Sequence, residues 1–299
     1  MDIFNEIIEK IGNELDIKVT HLSDNWVNVL EKNREIHYIQ GYKFDLNNHG
    51  IGNIIDDKGL FNDLLVYKKI PCVYQKVIFN DYKREDVLDF FNKNNREIII
   101  KGNIGTCGKE VYKVDNEIDL FNVIDKLFLS QFSLSLSPYI EAKSEYRVII
   151  LNNDVRVIYG KIKPFIIGDG IHTIYELAIK FNDYYKENKD KLKNPNYIPK
   201  VNEKIILNYQ FNLSNGALMF QEIENNLKER LITLAKIVSN NLNITFGSID
   251  IFETSNNELL VLEANSGVMM NNFIKQNSNG YDIAYNLYKD AIKLMFNIK

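Results

Sequence analysis

Two carboxylates in the last quarter of the chain have the spacing of a metal site. Asp250 and Glu263 lie in two runs of alternating apolar residues that are joined around Asn256-Asn257. A two-residue loop at this asparagine pair predicts a hairpin in which residue 250 lies opposite residue 263. Asn265 would then face the same side as Glu263, because successive side chains alternate along a strand. Three oxygen ligands of this kind are typical of Mg²⁺ bound together with phosphates, so the pattern predicts a magnesium site.

The alternative for Asp250 and Glu263 is a pair of solvated acids on an open sheet face. Carboxylates about 5 Å apart repel unless a cation lies between them, and burial makes that repulsion costly. The metal site is favoured because the other face of the hairpin carries apolar side chains that we expect to be buried, namely Ile249, Ile251, Leu260 and Leu262. Replacing either acid with alanine should then relieve the repulsion and leave the fold intact.

A glycine-rich segment between residues 101 and 109 could bind phosphate. Lys101 ends an apolar run, and glycines follow at 102, 105 and 108. Glycine lets backbone N–H groups approach an anion closely, and the lysine supplies a compensating charge. The segment is not a Walker A loop, because Gly108-Lys109 leads into a strand-like run instead of Ser or Thr and a helix. We predict a flap between two strands, with an ordinary glycine-rich turn as the alternative.

A third group of charged residues lies in the middle of the chain. Glu145 and Arg147 share one face of a predicted strand, and Lys161 ends the next one. By themselves these residues indicate an ion pair between neighbouring strands, which is common and worth little energetically.

The sequence predicts both helices and strands as the elements that position these residues. Apolar residues at helical spacing predict helices over 1–15, from residue 56 onward, and over 227–242 and 283–295. Short apolar runs predict strands over 98–100, 111–114, 148–151 and 155–159. Loop formers at 47–52 predict a loop, and the Lys- and Asn-rich residues 184–196 predict a solvated excursion. The pattern indicates a mixed α and β protein with antiparallel hairpins.

Composition excludes several classes of protein. The chain has 299 residues, 45 % of them hydrophobic, with 36 basic and 40 acidic residues and a net charge of −4. This balance argues against a dedicated nucleic-acid binder. Two cysteines cannot form a disulfide framework, the four histidines show no zinc spacing, and no apolar run approaches the length of a membrane span. Acidic residues at the N-terminus differ from the basic start of a signal peptide, so we expect a cytoplasmic protein without nucleic-acid or membrane partners.

Taken in order along about residues 40–270, several motifs resemble those of the ATP-grasp superfamily of carboxylate–amine ligases. The resemblance is strongest to the ATP-grasp part of cyanophycin synthetase and bifunctional glutathione synthetase, and looser to RimK-type ligases. The motifs are Asp56-Asp57-Lys58, Lys101 with Gly105 and Gly108, Glu145-Tyr146-Arg147, Gly168-Asp169-Gly170-Ile171-His172-Thr173-Ile174, Asn212-Leu213-Ser214-Asn215-Gly216, and Asp250 with Glu263 and Asn265. Three positions depart from the family pattern: Gly102, Ala217 and Ser266-Gly267-Val268.

This resemblance implies an α+β protein with the ATP-grasp fold, in which two α/β subdomains grip ATP. Residues 1–55 would form a small N-terminal pre-ATP-grasp α/β region, and residues 56–299 the ATP-grasp domain. Within that domain, a nucleotide-lid subdomain would cover about 70–137 and a catalytic subdomain about 138–299.

The resemblance also implies roles for individual residues. ATP would be bound by Lys58, Lys101, Gly105, Thr106, Gly108, Tyr139, Ile140, Glu141 and Glu145. Arg147 and Lys161 would be catalytic, Asp250, Glu263 and Asn265 would bind Mg²⁺, or Mn²⁺ in its place, and Asn212, Ser214 and Gly216 would bind substrate through a loop that offers backbone N–H groups.

The implied function is ADP-forming ligation of a carboxylate to an amine through an acyl phosphate, on an amino acid or short peptide, by an enzyme that could form a homodimer. The alternatives are an ATP-grasp small-molecule kinase and a non-catalytic nucleotide-binding regulator.

Overall fold

The computed structural model of the protein describes residues 2–105 and 110–299. Helices accompany two large antiparallel sheets, one of four strands and one of five, that contribute residues to a common cavity. The predicted α+β class is therefore confirmed. In the described part of the chain no helix is long and apolar enough to cross a membrane.

The N-terminal part combines a further four-stranded sheet with three helices. Its elements are α1 (Ile3–Leu15), β1 (Lys18–Leu22), β2 (Val27–Lys32), β3 (Glu35–Gln40), β4 (Lys43–Phe44), α2 (His49–Asp56) and α3 (Lys58–Tyr67). Helix α1 was predicted from its apolar stripe, and the Asp2 side chain caps it by accepting a hydrogen bond from the Phe4 N–H group.

The loop predicted at residues 47–52 is wrong, because α2 begins at His49. Asn48 caps this helix through a 2.9 Å hydrogen bond from the Ile51 N–H group to its side-chain oxygen. Gly50 and Gly52 disfavour a helix. The cap and the burial of Ile55 in the core compensate for them.

The next region is a sheet with its own hydrophobic core, which we call the lid subdomain (residues 76–138). It comprises β5 (Lys76–Phe79), α4 (Arg84–Lys93), β6 (Ile98–Gly102), β7 (Tyr112–Val114), α5 (Glu117–Phe128) and β8 (Ser133–Pro138). The strand order is β5-β8-β6-β7, entirely antiparallel, so β7 is an edge strand. The predicted strands 98–100 and 111–114 correspond to β6 and β7.

The remaining residues build the five-stranded sheet and the helices that cover it. The elements are β9 (Ala142–Leu151), β10 (Asp154–Ile162), β11 (Phe165–Ile167), α6 (Ile174–Phe181), α7 (Tyr184–Glu187), β12 (Lys204–Ile206), β13 (Leu218–Phe220), α8 (Asn225–Leu242), β14 (Phe246–Thr254), β15 (Leu259–Asn265), α9 (Asn271–Gln276) and α10 (Gly280–Met295). The strand order is β13-β10-β9-β14-β15. Helix α8 packs on one face, while α1 and α10 pack on the other, so the first and last helices share one core.

Residues 165–207, which we call the excursion, leave this sheet between β10 and β13. The prediction that residues 184–196 are solvated is wrong in part, because Tyr185 and Leu192 are buried in a small core with α6. Their apolar side chains are too few and too widely spaced in a Lys- and Asn-rich segment to produce a periodic pattern.

Candidate active site

A cavity of about 930 Å³ is lined by residues of both large sheets and of the N-terminal part. It brings together most of the side chains that the sequence predicted for the site: Lys58, Lys101, Gly105, Tyr139, Ile140, Glu145, Arg147, Lys161, Asn212, Ser214, Asp250, Glu263 and Asn265. Glu141 and Gly216 are not among its lining residues. Thr106 and Gly108 lie outside the described residues, as does Cys107.

The hairpin of β14 and β15 pairs Asp250 with Glu263, as the sequence predicted. The predicted two-residue loop is wrong: the Asn257 N–H group donates to the Thr254 carbonyl and the Thr254 N–H group to the Glu258 carbonyl, each at 3.0 Å, so the loop holds residues 255–257. A shift of register just after Asp250 compensates for the extra loop residue.

This bulge changes which apolar side chains the hairpin buries. Ile249 and Ile251 are fully buried, as expected. Leu260 and Leu262 are only half-buried, Leu262 lines the cavity, and Val261 is fully buried instead. The reason is that an extra residue in one strand reverses the alternation of faces at that point.

The sheet places Asp250 between an acid and a base. Its neighbour on β15 is Glu263 and its neighbour on β9 is Arg147. The Arg147 guanidinium donates two hydrogen bonds to Asp250, from Nε to Oδ1 at 2.9 Å and from Nη2 to Oδ2 at 2.6 Å. Lys161 on β10 donates to Glu145, and its Nζ lies 3.3 Å from Asp250 Oδ1. The charges predicted to form a simple strand-to-strand pair thus belong to one buried network.

Burial and charge act in opposite directions on these groups. Burial raises the pKa of Asp250, but the positive charges of Arg147 and Lys161 outweigh it and hold the pKa below its ordinary value. Burial raises the pKa of Glu145, and the Lys161 charge offsets this only in part. Burial lowers the pKa of Lys161, but Asp250 and Glu145 outweigh it and raise the pKa. Asp250 and Lys161 are therefore held in their charged forms.

Glu263 is neutralised from the lid subdomain. Lys101, at the end of β6, donates a 2.9 Å hydrogen bond from Nζ to Glu263 Oε2. Burial raises the pKa of Glu263, and the ammonium groups of Lys101 and Lys58 outweigh it and lower the pKa. In this structure the positive charge that the opposed carboxylates require comes from basic side chains, Arg147 at Asp250 and Lys101 at Glu263.

The donor set predicted for Mg²⁺ fits such an ion. It offers two carboxylates and an amide, and oxygen ligands suit Mg²⁺. The Asn265 side-chain nitrogen is buried and has no hydrogen-bond partner among the described residues. No hydrogen bond from this nitrogen to those residues therefore fixes the orientation of the amide. Residues 2–105 and 110–299 contain no cluster of three or more His, Cys, Asp or Glu side chains that could hold a metal, which is consistent with a set whose third member is an amide.

Lys58 lies in the cavity wall and holds the start of the glycine-rich segment. Its Nζ donates to the carbonyls of Gly105 at 2.9 Å and Asn103 at 3.2 Å. The Asn103 side chain accepts from the Gly59 N–H group and donates to Asp57, at 3.0 and 2.9 Å. Burial lowers the pKa of Lys58. In the structure Lys58 therefore contacts backbone carbonyls of the segment that was predicted to cradle phosphate.

Asp56 connects the N-terminal part to the end of β15. One carboxylate oxygen accepts from the Ser266 N–H group at 2.9 Å, and the other accepts from Ser266 Oγ and Lys43 Nζ, each at 2.6 Å. Ser266 is one of the departures from the family pattern. Its hydroxyl therefore has a structural role next to Asn265.

At another part of the cavity, residues 139–141 connect β8 to β9. Tyr139 Oη donates to Glu141 at 2.7 Å, and Lys163 donates to the same carboxylate at 2.6 Å. The Lys113 ammonium lies 3.5 Å from the centroid of the Tyr139 ring. The Glu141 carboxylate is thus bonded to Tyr139 and Lys163, and its side chain is exposed and does not line the cavity.

The loop at residues 212–216, which we call the substrate loop, is folded on itself. Asn212 Oδ1 accepts hydrogen bonds from the Ser214 N–H and hydroxyl groups, and the Asn212 carbonyl accepts from the N–H groups of Asn215 and Ala217. Two of the N–H groups that the loop was expected to present, those of Ser214 and Asn215, are therefore bonded within the loop in this structure. Gly216 has a φ of +90°, and a side chain there would meet the Tyr185 hydroxyl at 3.2 Å.

Sequence reasoning missed part of the cavity wall. The N-terminal part contributes Trp26, Gln40, Tyr42 and Lys43, and the residues around the substrate loop contribute Tyr209, Gln210 and Phe211. The alternation of β2 and β3 could have predicted a sheet at the N-terminus. Nothing in that pattern indicates which of its residues reach the cavity.

Comparison with known proteins supports the same fold. No family model matches the chain. The glutathione biosynthesis bifunctional protein of Streptococcus agalactiae is 26 % identical over 152 residues, which cover 49 % of this chain and 20 % of that protein. The chain therefore spans only a small part of the curated relatives it matches.

Three solved structures are similar over most of the chain. A bifunctional glutathione synthetase from Pasteurella multocida has a TM-score of 0.57 at 16 % identity, covering 99 % of this chain and 43 % of that one. A D-alanine–D-alanine ligase from Bacillus anthracis has a TM-score of 0.57 at 14 % identity, covering 86 % and 72 %. The ATP-grasp ligase PsnB, solved with a phosphomimetic variant of its minimal precursor, Mg and ADP, has a TM-score of 0.52 at 16 % identity, covering 84 % and 61 %. Identities this low establish the fold alone, and the protein has the ATP-grasp fold that its motifs predict.

Proposed function

We propose that this chain is an ATP-dependent carboxylate–amine ligase that forms an amide or peptide bond and releases ADP and phosphate. The single observation that carries the proposal is the buried network on the cavity wall, in which Lys101, Arg147 and Lys161 face Glu263, Asp250 and Glu145. Groups of both signs held in one desolvated place suit a reaction in which a phosphoryl group carries the developing charge.

The network supports binding of a nucleotide together with a divalent cation. Phosphate oxygens would compete with Asp250 and Glu263 for the basic side chains, and a buried carboxylate that loses its base is costly. Asp250, Glu263 and Asn265 would hold Mg²⁺, which would supply positive charge next to the phosphates.

The residues of this chain would act by binding and orientation. Lys101 and Arg147 neutralise the phosphoryl group while a substrate carboxylate oxygen attacks phosphorus and the bond to ADP breaks. An amine then attacks the acyl phosphate carbonyl, and phosphate leaves. No protein side chain has to act as a nucleophile, because both nucleophiles belong to the substrates.

An amino acid or short peptide is the proposed substrate class. The similar structures include a D-alanine–D-alanine ligase and a bifunctional glutathione synthetase, whose names refer to an amino acid and to a short peptide. In this chain, Lys43 and Asp56 bring one charge of each sign to the cavity wall. These two side chains are paired with each other at 2.6 Å, and the ammonium and carboxylate groups of an amino acid could exchange with this pair. A cytoplasmic location, a homodimer and the use of Mn²⁺ stay predictions from the sequence.

Hydroxylamine trapping tests the proposal, because hydroxylamine takes the place of whichever amine the enzyme uses. The 299-residue protein is incubated with MgATP, hydroxylamine and pools of amino acids and short peptides, and ADP and hydroxamate are measured. We expect both products from the wild type, and about 100-fold less from Glu263→Gln. Glu253→Gln is the matched control, because Glu253 lies on β14 outside the cavity lining and accepts a 3.0 Å hydrogen bond from Tyr146.

Other results of the same assay would favour the kinase or the regulator over the ligase. A stable phosphorylated product that hydroxylamine never intercepts would establish a kinase. Nucleotide binding without turnover in any pool would establish a regulator, and release of AMP and pyrophosphate would exclude the acyl phosphate route.

A further inference from the structure

The edge strand of the lid subdomain is bonded to residues that precede the substrate loop. Tyr209 Oη donates a 2.7 Å hydrogen bond to the Val111 carbonyl and accepts a 3.1 Å hydrogen bond from the Lys113 N–H group. Strand β7 is the edge of its sheet, and an edge strand exposes unpaired backbone groups. The Tyr209 hydroxyl forms hydrogen bonds with two backbone groups of this edge, the Val111 carbonyl and the Lys113 N–H group, which a neighbouring strand would otherwise pair with.

Gln210 extends this connection into the substrate loop. Its Nε2 donates to the same Val111 carbonyl at 3.2 Å, and its Oε1 accepts from the Asn215 side-chain nitrogen at 2.7 Å. Asn215 in turn belongs to the short turn that Asn212 holds together. A continuous path of hydrogen bonds therefore runs from the lid backbone to the substrate loop.

The same lid strands carry the phosphate-site lysine. β6 ends in Lys101-Gly102 and is paired with β7 through Ile100 and Tyr112. A rigid shift of this sheet moves Lys101 relative to Glu263 and, equally, Val111 relative to Tyr209. The two contacts join the same sheet to two different parts of the catalytic subdomain, so the position of the sheet affects both.

We infer that Tyr209 and Gln210 are positioning residues that couple the position of the lid subdomain to the conformation of the substrate loop. The inference rests on the proposed function, because a nucleotide held by Lys101 is what would fix the lid. Nucleotide binding then favours the linked arrangement and orders the substrate loop before the amine arrives. By linkage, a ligand in the substrate loop tightens nucleotide binding by the same factor.

The chemistry of Tyr209 agrees with this role. A phenol must be protonated to donate to a carbonyl, and burial raises the pKa of Tyr209. The hydroxyl is therefore available as a donor and an acceptor at neutral pH. Phenylalanine at this position would keep the ring and remove both hydrogen bonds.

Hydrogen exchange of the 299-residue protein, with and without MgADP, measures the coupling and requires no known amine substrate. In the wild type we expect MgADP to slow exchange in peptides covering the lid strands and in peptides covering residues 211–217, by about fivefold or more in each. In Tyr209→Phe the lid peptides remain protected, whereas the 211–217 peptides exchange as they do without nucleotide.

Gln210→Glu separates the two ends of the path. Glutamate keeps the oxygen that accepts from Asn215 but cannot donate to Val111. Without nucleotide the substrate loop should therefore exchange as in the wild type, yet MgADP should no longer protect it. If Gln210 only stabilised the substrate loop, Gln210→Glu would also change the exchange rate of that loop in the absence of nucleotide. Tyr197→Phe is the matched control and should behave as the wild type, because Tyr197 donates to Glu203 within the excursion.

Each outcome has a distinct meaning. If MgADP protects the lid strands and the substrate loop to the same extent in Tyr209→Phe, Gln210→Glu and the wild type, the inference is overturned and the proposed function stands. If MgADP protects neither segment of the wild type, the nucleotide-binding part of the proposed function fails, and the coupling fails with it.

Discussion

Asp250 lies directly opposite Glu263 on neighbouring strands, and each carboxylate is neutralised by a base from a different part of the chain. Arg147 on β9 binds both oxygens of Asp250, while Lys101 on the lid subdomain binds Glu263. The first pair belongs to one sheet and the second crosses between two sheets. The two acids therefore take part in both the packing of the five-stranded sheet and one of the contacts between that sheet and the lid subdomain.

Asp250→Ala should destabilise the protein by about 3–5 kcal/mol, because it leaves the half-buried Arg147 and the buried Lys161 without their shared partner. This reverses the expectation from the sequence that removing either acid relieves repulsion. Urea unfolding measures the change. Asp290→Ala is the control, because its pair with Arg156 is more than a third exposed and should contribute about 0–1 kcal/mol. Equal losses in the two variants would show that the buried network is not a structural unit.

Lys101→Met should abolish the stabilisation of the protein by MgATP. A nucleotide that binds only the folded state adds about 2.7 kcal/mol at about 100 times its Kd, which appears as a rise in Tm of several degrees. The variant loses the ammonium that faces Glu263 in the cavity. Lys76→Met is the matched control on the same sheet, since Lys76 donates to the Asp86 carbonyl outside the cavity lining. A full MgATP shift in Lys101→Met would contradict the assignment of this lysine.

Tyr185→Phe should leave the free energy of unfolding unchanged or raise it by about 1 kcal/mol. The Tyr185 hydroxyl is buried and has no hydrogen-bond partner in the described part of the chain, and a buried unpaired polar group is costly. Tyr288→Phe is the contrast. That hydroxyl donates to the Val268 carbonyl and accepts from the Met270 N–H group, so its removal should cost about 1–3 kcal/mol. Thermal and urea unfolding of both variants would check the difference.

Asp169 should stabilise the excursion in a pH-dependent way. The N–H group and side chain of His172 and the N–H group of Ile171 lower the pKa of Asp169 below its ordinary value of 3.8. A carboxyl group whose pKa is lower in the folded state contributes stability above pH 3.8, and the contribution is lost as the pH falls below that value. The Tm difference between the wild type and Asp169→Asn should therefore be present above pH 3.8 and shrink as the pH falls below that value. Asp190→Asn, at an exposed position in the excursion, controls for the loss of one negative charge.

Local pattern was enough to predict what depends on neighbours along the chain. Alternation within 247–253 and 258–265 predicted a hairpin that brings Asp250 and Glu263 together, because two strands joined by a short turn have few registers that bury one face. The prediction had the wrong loop, yet the bulge after Asp250 restored the register at the site. The motif order likewise predicted the fold.

Tertiary structure decided which groups neutralise the two acids. Arg147 and Lys101 lie 103 and 162 residues away from their partners in sequence, so only the strand order β10-β9-β14-β15 and the docking of the lid subdomain bring them into contact. The contact between Tyr209 and the edge strand β7 has the same origin. Alternation and spacing determine the face on which a side chain lies, whereas long-range packing determines its partner across a cavity, and no local pattern encodes that choice.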